Sequence, residues 1–249
     1  MIDPADYREL RVRSAFSFLR GAASPEAIAD RIGALGQPVA ALCDRNGFYG
    51  SVRFHRRASE NGFRAIVGTE LTMEGGGVLP VLAKTREGYR AVSRLLTRAQ
   101  LRSPKGGCVV AWSELESIIG DVVFLTGDEE GPLDQGWRRQ GARGMEEALA
   151  RLLQQVPERD VYVELQRHSI RGEEEIVRAK ADLAAMRRLP LLATGGVAYA
   201  VPEDRIVQDV FTCLREHFTL DAAGRHLSVN GERYVRTAAE MASRFRDHP

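Results

Sequence analysis

Residues 9–15, ELRVRSA, lead through a short turn into residues 24–36, SPEAIADRIGALG. The first stretch alternates in the way a strand does. The second carries a Ser at the N-cap position, a Pro at the first helical position and a Gly to close it, the marks of a helix start and stop. Together they predict one β/α unit. Within the strand, Arg11 and Arg13 stand two residues apart, so both guanidinium groups point to one side, and Arg20 follows where the chain turns.

Downstream the same alternation recurs. PVAALC (38–43) leads through DRNGFYG to a helix over about 51–61; FRAIVGTELTM (63–73), a glycine run and VLPVLAK (78–84) read as strand, hairpin turn and strand. A helix of about fourteen residues from Arg86 follows. VVFLT, VYVEL and PLLAT read as further strands, with helices over about 144–155, 173–188 and 202–216. Some seven β/α units predict a parallel sheet or a closed, TIM-like barrel. The stretches 101–112 and 128–144 are polar, glycine-rich and predicted to be loops or flaps. From 217 the periodicity fades, until a last helix begins near 237.

The chain has 249 residues, enough for one large α/β domain or two modest ones. Lys and Arg number 35 against 34 Asp and Glu, a formal charge of +1, so any basic site must be local. Cys43, Cys108 and Cys213 are widely spaced, which argues against a zinc ribbon or a disulfide framework and fits a reducing cytoplasm. The N-terminus lacks an apolar leader core, and no stretch reaches the roughly 18 apolar residues of a membrane helix. The expectation is a soluble cytoplasmic protein with no membrane partner.

In parallel α/β folds the chemistry gathers where strands end. The ends here carry Arg11 and Arg13, Asp44 and Arg45, Glu70, Asp128, Glu164 and His168, then Gly195, Gly196 and Ala198. Carboxylates and guanidiniums are about equally represented. Arginine has five donors and no acceptor, so it is not a metal ligand. Other features are weaker: Gly47 and Gly50 read as turn residues, His55 among Arg53, Arg56 and Arg57 as a solvated basic helix face, and Trp137 beside Arg138 and Arg139 as a mobile basic loop. No Ser/His/Asp or Cys/His spacing argues for a nucleophile.

RVRSAFS, FLRGAASPEAI, LCDRNGFYGSVRFHRRASENG, IVGTEL, LAKTREGYRAVSRLLTRAQ, VYVELQRH, LLATGGVAYAVPEDRIVQDVFTCLR and TLDAAGRHL follow one another in an order that resembles the N-terminal PHP (polymerase and histidinol phosphatase) domain of bacterial C-family DNA polymerases. The likeness is greatest to the error-prone, translesion branch of the polymerase III alpha subunit. The resemblance implies a distorted seven-stranded (β/α) barrel over residues 1–216, with 217–249 starting the connection to a polymerase region whose catalytic aspartates lie further on. Active members of the family hold a cluster of metal ions and hydrolyse phosphoesters or remove nucleotides.

At the family's ligand positions this chain differs. Arg11 and Arg13 stand for an H-x-H pair, Arg20 for an aspartate, Arg45 for a histidine, and Gly196 and Ala198 for an aspartate and a histidine. Glu70 is kept, and Asp128 stands near an expected cysteine. The implied reading is a metal site without metal or cofactor, in a chain with no catalytic residue of its own, whose role is structural: a module contacting polymerase domains or other replication and translesion proteins, and DNA. Two alternatives stay open, a metal-dependent phosphoesterase or 3'–5' exonuclease, and a phosphate- or nucleic-acid-binding module using Arg11, Arg13 and Arg45. The arginines themselves allow three readings: partners of the remaining carboxylates, a phosphate clamp, or side chains turned to water.

Overall fold

The structure, a computed structural model, describes residues 7–248. The leader reading rests on residues outside that span. Seven strands form one sheet in sequence order: β1 (Glu9–Val12), β2 (Val39–Arg45), β3 (Arg64–Thr72), β4 (Val78–Ala83), β5 (Val122–Leu125), β6 (Val161–Leu165) and β7 (Leu191–Ala193). A parallel bridge between Val12 and Val197, with Arg13 N–H donating to Val197 O at 2.9 Å, brings the segment after β7 against the β1 edge of this curled, half-barrel sheet. Among the described residues no helix is long and apolar enough to cross a membrane.

Six of the strands are followed by helices, α1 (Pro25–Ala34), α2 (Ser51–Glu60), α3 (Arg86–Arg102), α4 (Pro132–Leu153), α5 (Glu173–Arg187) and α6 (Arg205–Glu216). The exception is β3, which turns through the glycines at 75–77, all with positive φ, into β4. That connection is too short for a crossover, so β4 runs antiparallel to β3 and also to β5. The expected run of seven β/α units is therefore interrupted by one hairpin.

The helices form where the sequence supplies both caps and an apolar stripe. In α1, Ser24 accepts the Ala27 N–H, Pro25 opens the first turn, and Ile28, Ala29 and Ile32 are fully buried against Ala40 and Leu42 of β2. Each large side chain buried there contributes about 1.5–3 kcal/mol. Two sequence expectations fail for reasons of glycine chemistry and length. Helix α3 continues to Arg102, three residues beyond its expected fourteen. The stretch 128–144 is not a flap: α4 begins at Pro132, breaks at Gln140 and Gly141, and doubles back. Gly136 and Gly144 meet backbone to backbone, where an added Cβ on either would lie 2.2 Å from the other's carbonyl oxygen. Trp137, expected on a mobile loop, packs against the main core.

The C-terminal segment contributes α7 (Leu220–Ala223) and α8 (Ala238–Arg244). It lies along the barrel: Tyr234 bridges to Tyr199, Val235 is buried beside Tyr199 and Ile28, and Met241 and Phe245 pack on Leu165 and Val177.

Candidate functional site: an ion-pair cluster in the barrel mouth

Strand register assembles the site. Along the β2–β3 pairing Arg45 sits opposite Glu70, which puts a guanidinium and a carboxylate together at the strand ends. In β1 the register slips between Glu9↔Ala40 and Val12↔Leu42, so two residues of β1 oppose one of β2. Such a bulge re-aims side chains next to functional sites. Here it lets Leu10 pack on the interior apolar cluster while Arg11 reaches the carboxylates above it.

Arg11 is fully buried. It donates from Nε and Nη2 to Glu70 Oε1 at 3.0 and 2.7 Å, from Nη1 to Glu164 Oε2 at 2.9 Å, and from Nη2 to Asp128 Oδ2 at 3.3 Å. Arg13 donates to Asp128 Oδ2 at 2.7 Å and holds Nε 3.0 Å from Glu70 Oε1. Arg45 closes the other side, from Nε to Glu70 Oε2 at 2.7 Å and from Nη2 to Glu130 Oε2 at 2.6 Å. Arg20 reaches the same Glu130 at 3.0 Å. Two buried guanidiniums, Arg11 and Arg13, and the mostly buried Arg45 thus face Glu70, Asp128 and Glu164, and the half-buried Arg20–Glu130 pair caps them.

Burial alone would raise the Glu70 carboxyl, but the guanidiniums of Arg13, Arg11 and Arg45 outweigh it and hold the group at about 2. Asp128 is depressed further, again against burial, by Arg11 and Arg13. Glu164 has its second oxygen filled by Thr194 Oγ1 at 2.5 Å and Gln166 Nε2 at 2.7 Å.

Asp44 stands apart from the arginines. Ser14 N–H, both its oxygens' contact with Ser14 Oγ, the Ser17 hydroxyl and the Gly50 N–H satisfy it at 2.8–3.1 Å. Gly50 is glycine of necessity, since a Cβ there would sit 2.6 Å from Asp44 Oδ2. Gly196 adopts φ +55°, with Gln166 filling the space where a side chain would project; Ala198 is buried beside Arg13 and Arg20. His168 Nε2 donates to Gly195 O at 2.8 Å, and burial first, then Arg233, lowers it to about 3, so it is neutral at physiological pH. Among the described residues no group of three or more His, Cys, Asp or Glu side chains is placed to hold a metal ion.

The sequence reading thus identified Arg11, Arg13, Arg20, Arg45, Glu70 and Asp128, all of which come together. It did not assign Glu130 or Arg233. Glu130 lies in an acidic run, Asp128-Glu129-Glu130, whose three members point to different partners, and nothing in the run singles it out.

The PHP domain family's sequence profile matches residues 9–168. An error-prone DNA polymerase of Anaeromyxobacter sp. (strain K) is 35% identical over 257 aligned positions, covering 98% of this chain and 21% of that protein. That of Symbiobacterium thermophilum is 33% identical, covering 96% and 24%. This chain therefore spans about a fifth of the length of these curated relatives. An amidohydrolase from Chromobacterium violaceum shares the fold at a TM-score of 0.56 and 12% identity, over 77% of this chain and 87% of that one. An endonuclease Q, solved with duplex DNA bearing an abasic lesion, does so at 0.51 and 12%, over 78% and 49%. With the profile matching from the first strand to the loop after the sixth, the chain belongs to the PHP domain family.

Proposed function

We propose that this chain is the PHP module of an error-prone DNA polymerase, acting in replication and translesion repair, in which fixed guanidinium charge has taken the place of metal charge and the role is structural. The observation that carries this reading is Arg11, whose side chain spans Glu70, Glu164 and Asp128 without exposure to solvent. The donor set does not fit the family's metal cluster. A metal needs lone pairs from imidazoles or carboxylates, and the carboxylates present are bound by cations that do not deprotonate. Breaking a buried pair of this kind leaves an uncompensated charge at a cost of about 3–5 kcal/mol, so displacement of Arg11 by a metal is opposed. The free, buried state of Cys43, Cys108 and Cys213 supports a reducing, cytoplasmic setting. The module's partners are the polymerase region and its associated replication proteins, and the segment from 217 leads toward that region.

Metal analysis of the purified chain, with phosphoesterase and 3'–5' exonuclease assays in manganese and zinc, tests the reading. No stoichiometric metal and no metal-dependent turnover are expected. One equivalent of tightly held metal with turnover that Glu70→Gln abolishes would establish the phosphoesterase reading instead.

A further inference from the structure

We propose that the base of the barrel, at the end opposite the ion-pair cluster, binds an apolar monocarboxylate: an aliphatic or aromatic acid whose body enters the barrel and whose carboxylate rests on Arg64. This goes beyond the structural role above and holds independently of it.

Side chains two apart on a strand share a face, so Glu70, Gly68, Ile66 and Arg64 follow one another down one face of β3, from the mouth of the barrel to its base. Glu70 belongs to the ionic layer. A Cβ on Gly68 would press on Cys43 and Leu82, and Ile66 packs on that same interior cluster. Arg64 stands at the foot of the column. Because β4 runs antiparallel to β3, its last residues lie at this end too, with Lys84 following Leu82 at the same spacing.

The base is not sealed. Leu82 and Leu125 form a buried floor, but Leu10, Ile66, Val123, Tyr162 and Leu192, packed against that floor, are only partly buried. They line a depression of about 340 Å³, at the small end of the range that ligand sites occupy. Apolar walls left partly wet gain from being covered by an apolar body.

The charge at this site is uneven. Arg64 and Lys84 are the charged side chains that line it, and no carboxylate does. Lys84 Nζ donates to Asp160 Oδ1 at 2.7 Å, so the neighbouring, buried Asp160 answers that cation. Arg64 has no such answer: its guanidinium pairs with none of the described residues, and the Tyr162 hydroxyl is likewise unbonded to any of them. One unmatched guanidinium beside an apolar hollow is complementary to a molecule with one negative charge and an apolar body, and its planar fork suits a carboxylate. Inorganic phosphate would leave the walls wet, and a neutral hydrocarbon would leave Arg64 unmatched.

Isothermal titration calorimetry of the 249-residue chain with butanoate, hexanoate and octanoate, and with octan-1-ol as the uncharged control, tests this. One equivalent of octanoate is expected to bind, with each added methylene tightening binding about threefold along the series. Octanol is expected to bind more weakly. Arg64→Gln should weaken octanoate about tenfold and leave octanol unchanged. Leu192→Trp, which fills the hollow, should abolish both. A melting curve accompanies each variant, and the exposed position of Arg64 keeps its variant informative if Leu192→Trp fails to fold. Absence of saturable octanoate binding overturns the proposal, as does an affinity that octanol equals, that chain length does not change or that Arg64→Gln leaves intact. A concentration-dependent dimer that Leu192→Arg dissociates would seat a second copy over the base instead, and overturns it as well. None of these readouts involves metal content or turnover, so this inference and the structural reading fail separately.

Discussion

Inside the barrel, the end nearer the strand starts is filled by Ala41, Cys43, Leu82 and Leu125, with Leu10, Ile66, Tyr162 and Leu192 packed beneath them; the other end is filled by Arg11, Glu70, Asp128 and Glu164. The central side chains of both fillings are almost wholly buried, and β1, β5 and β6, or the turn that follows, supply residues to each, one to three positions apart. Gly68 lets the apolar half pack closely, for a Cβ there would lie 2.6 Å from both Cys43 Sγ and Leu82 Cδ2. The apolar half is held by non-directional burial and tolerates changes of shape. The ionic half depends on each charge finding its partner, so one deletion leaves several groups stranded. On the reading proposed above, this outer layer takes the place of a metal site and forms a second, charged core.

The largest break in this comparison is Arg11→Met, which keeps the volume and removes the cation. Glu70, Asp128 and Glu164 lose one partner each. A loss of about 3–5 kcal/mol in urea denaturation is expected. Adding Glu164→Gln restores the charge balance, and the double variant should lose less than the sum of the two singles. Strict additivity would mean that the two side chains do not share an interaction.

Glu70→Gln comes next, at about 1–3 kcal/mol, and it also changes the pH profile. The Glu70 carboxyl is held at about 2 against an ordinary 4.5. Because the folded value is depressed, its contribution is fully present above about 4.5 and is lost as pH falls toward 2. Glu9 works in the opposite sense: burial raises it to about 7, although the Tyr7 hydroxyl and the N–H groups of Arg11 and Gly195 favour its charged form. Folding there is favoured by the protonated carboxyl, so stability falls as pH rises from about 4.5 through 7. Melting temperature against pH should therefore show an acid limb that Glu70→Gln flattens and a neutral limb that Glu9→Gln flattens. An acid limb unchanged by Glu70→Gln would assign acid sensitivity to Asp128 and the surface instead.

Ser17→Ala is smaller, about 1 kcal/mol, since it removes one of several donors to Asp44. Its position also shows how far the sequence could be read. Apolar runs located all seven strands, and the glycine run announced the hairpin between β3 and β4, because those signals are local. The R-x-R spacing placed Arg11 and Arg13 on one side of β1, and the register of β2 on β3 did the rest. The bulge in β1 was not legible, since it exists only against its partner strand. Nor were the roles of Ser14, Ser17 and Glu130, which are defined by chain segments 27–110 residues away. The first half of α4 was misread because Gly136 and Gly144 lower helix propensity for the sake of a backbone contact that only the folded hairpin creates.

The smallest expected effect lies at the boundary of the two halves. Cys43 is fully buried, its Sγ 3.7 Å from the Leu10 carbonyl, with the apolar cluster on one side and Arg11 and Glu70 on the other. Burial pushes its thiol well above the ordinary range, and the nearby Arg11 offsets only part of that. The thiolate is the reactive form, so Cys43 should resist a disulfide reagent in the native chain and react once urea unfolds it. Cys43→Ala should cost about 0.8 kcal/mol, the order of one buried methylene-sized group, and leave the acid limb in place. Rapid native labelling of Cys43 would show that water reaches the base of the ionic layer. The guanidiniums and carboxylates would then be screened rather than desolvated, and the cost expected of Arg11→Met would shrink toward that of a surface pair.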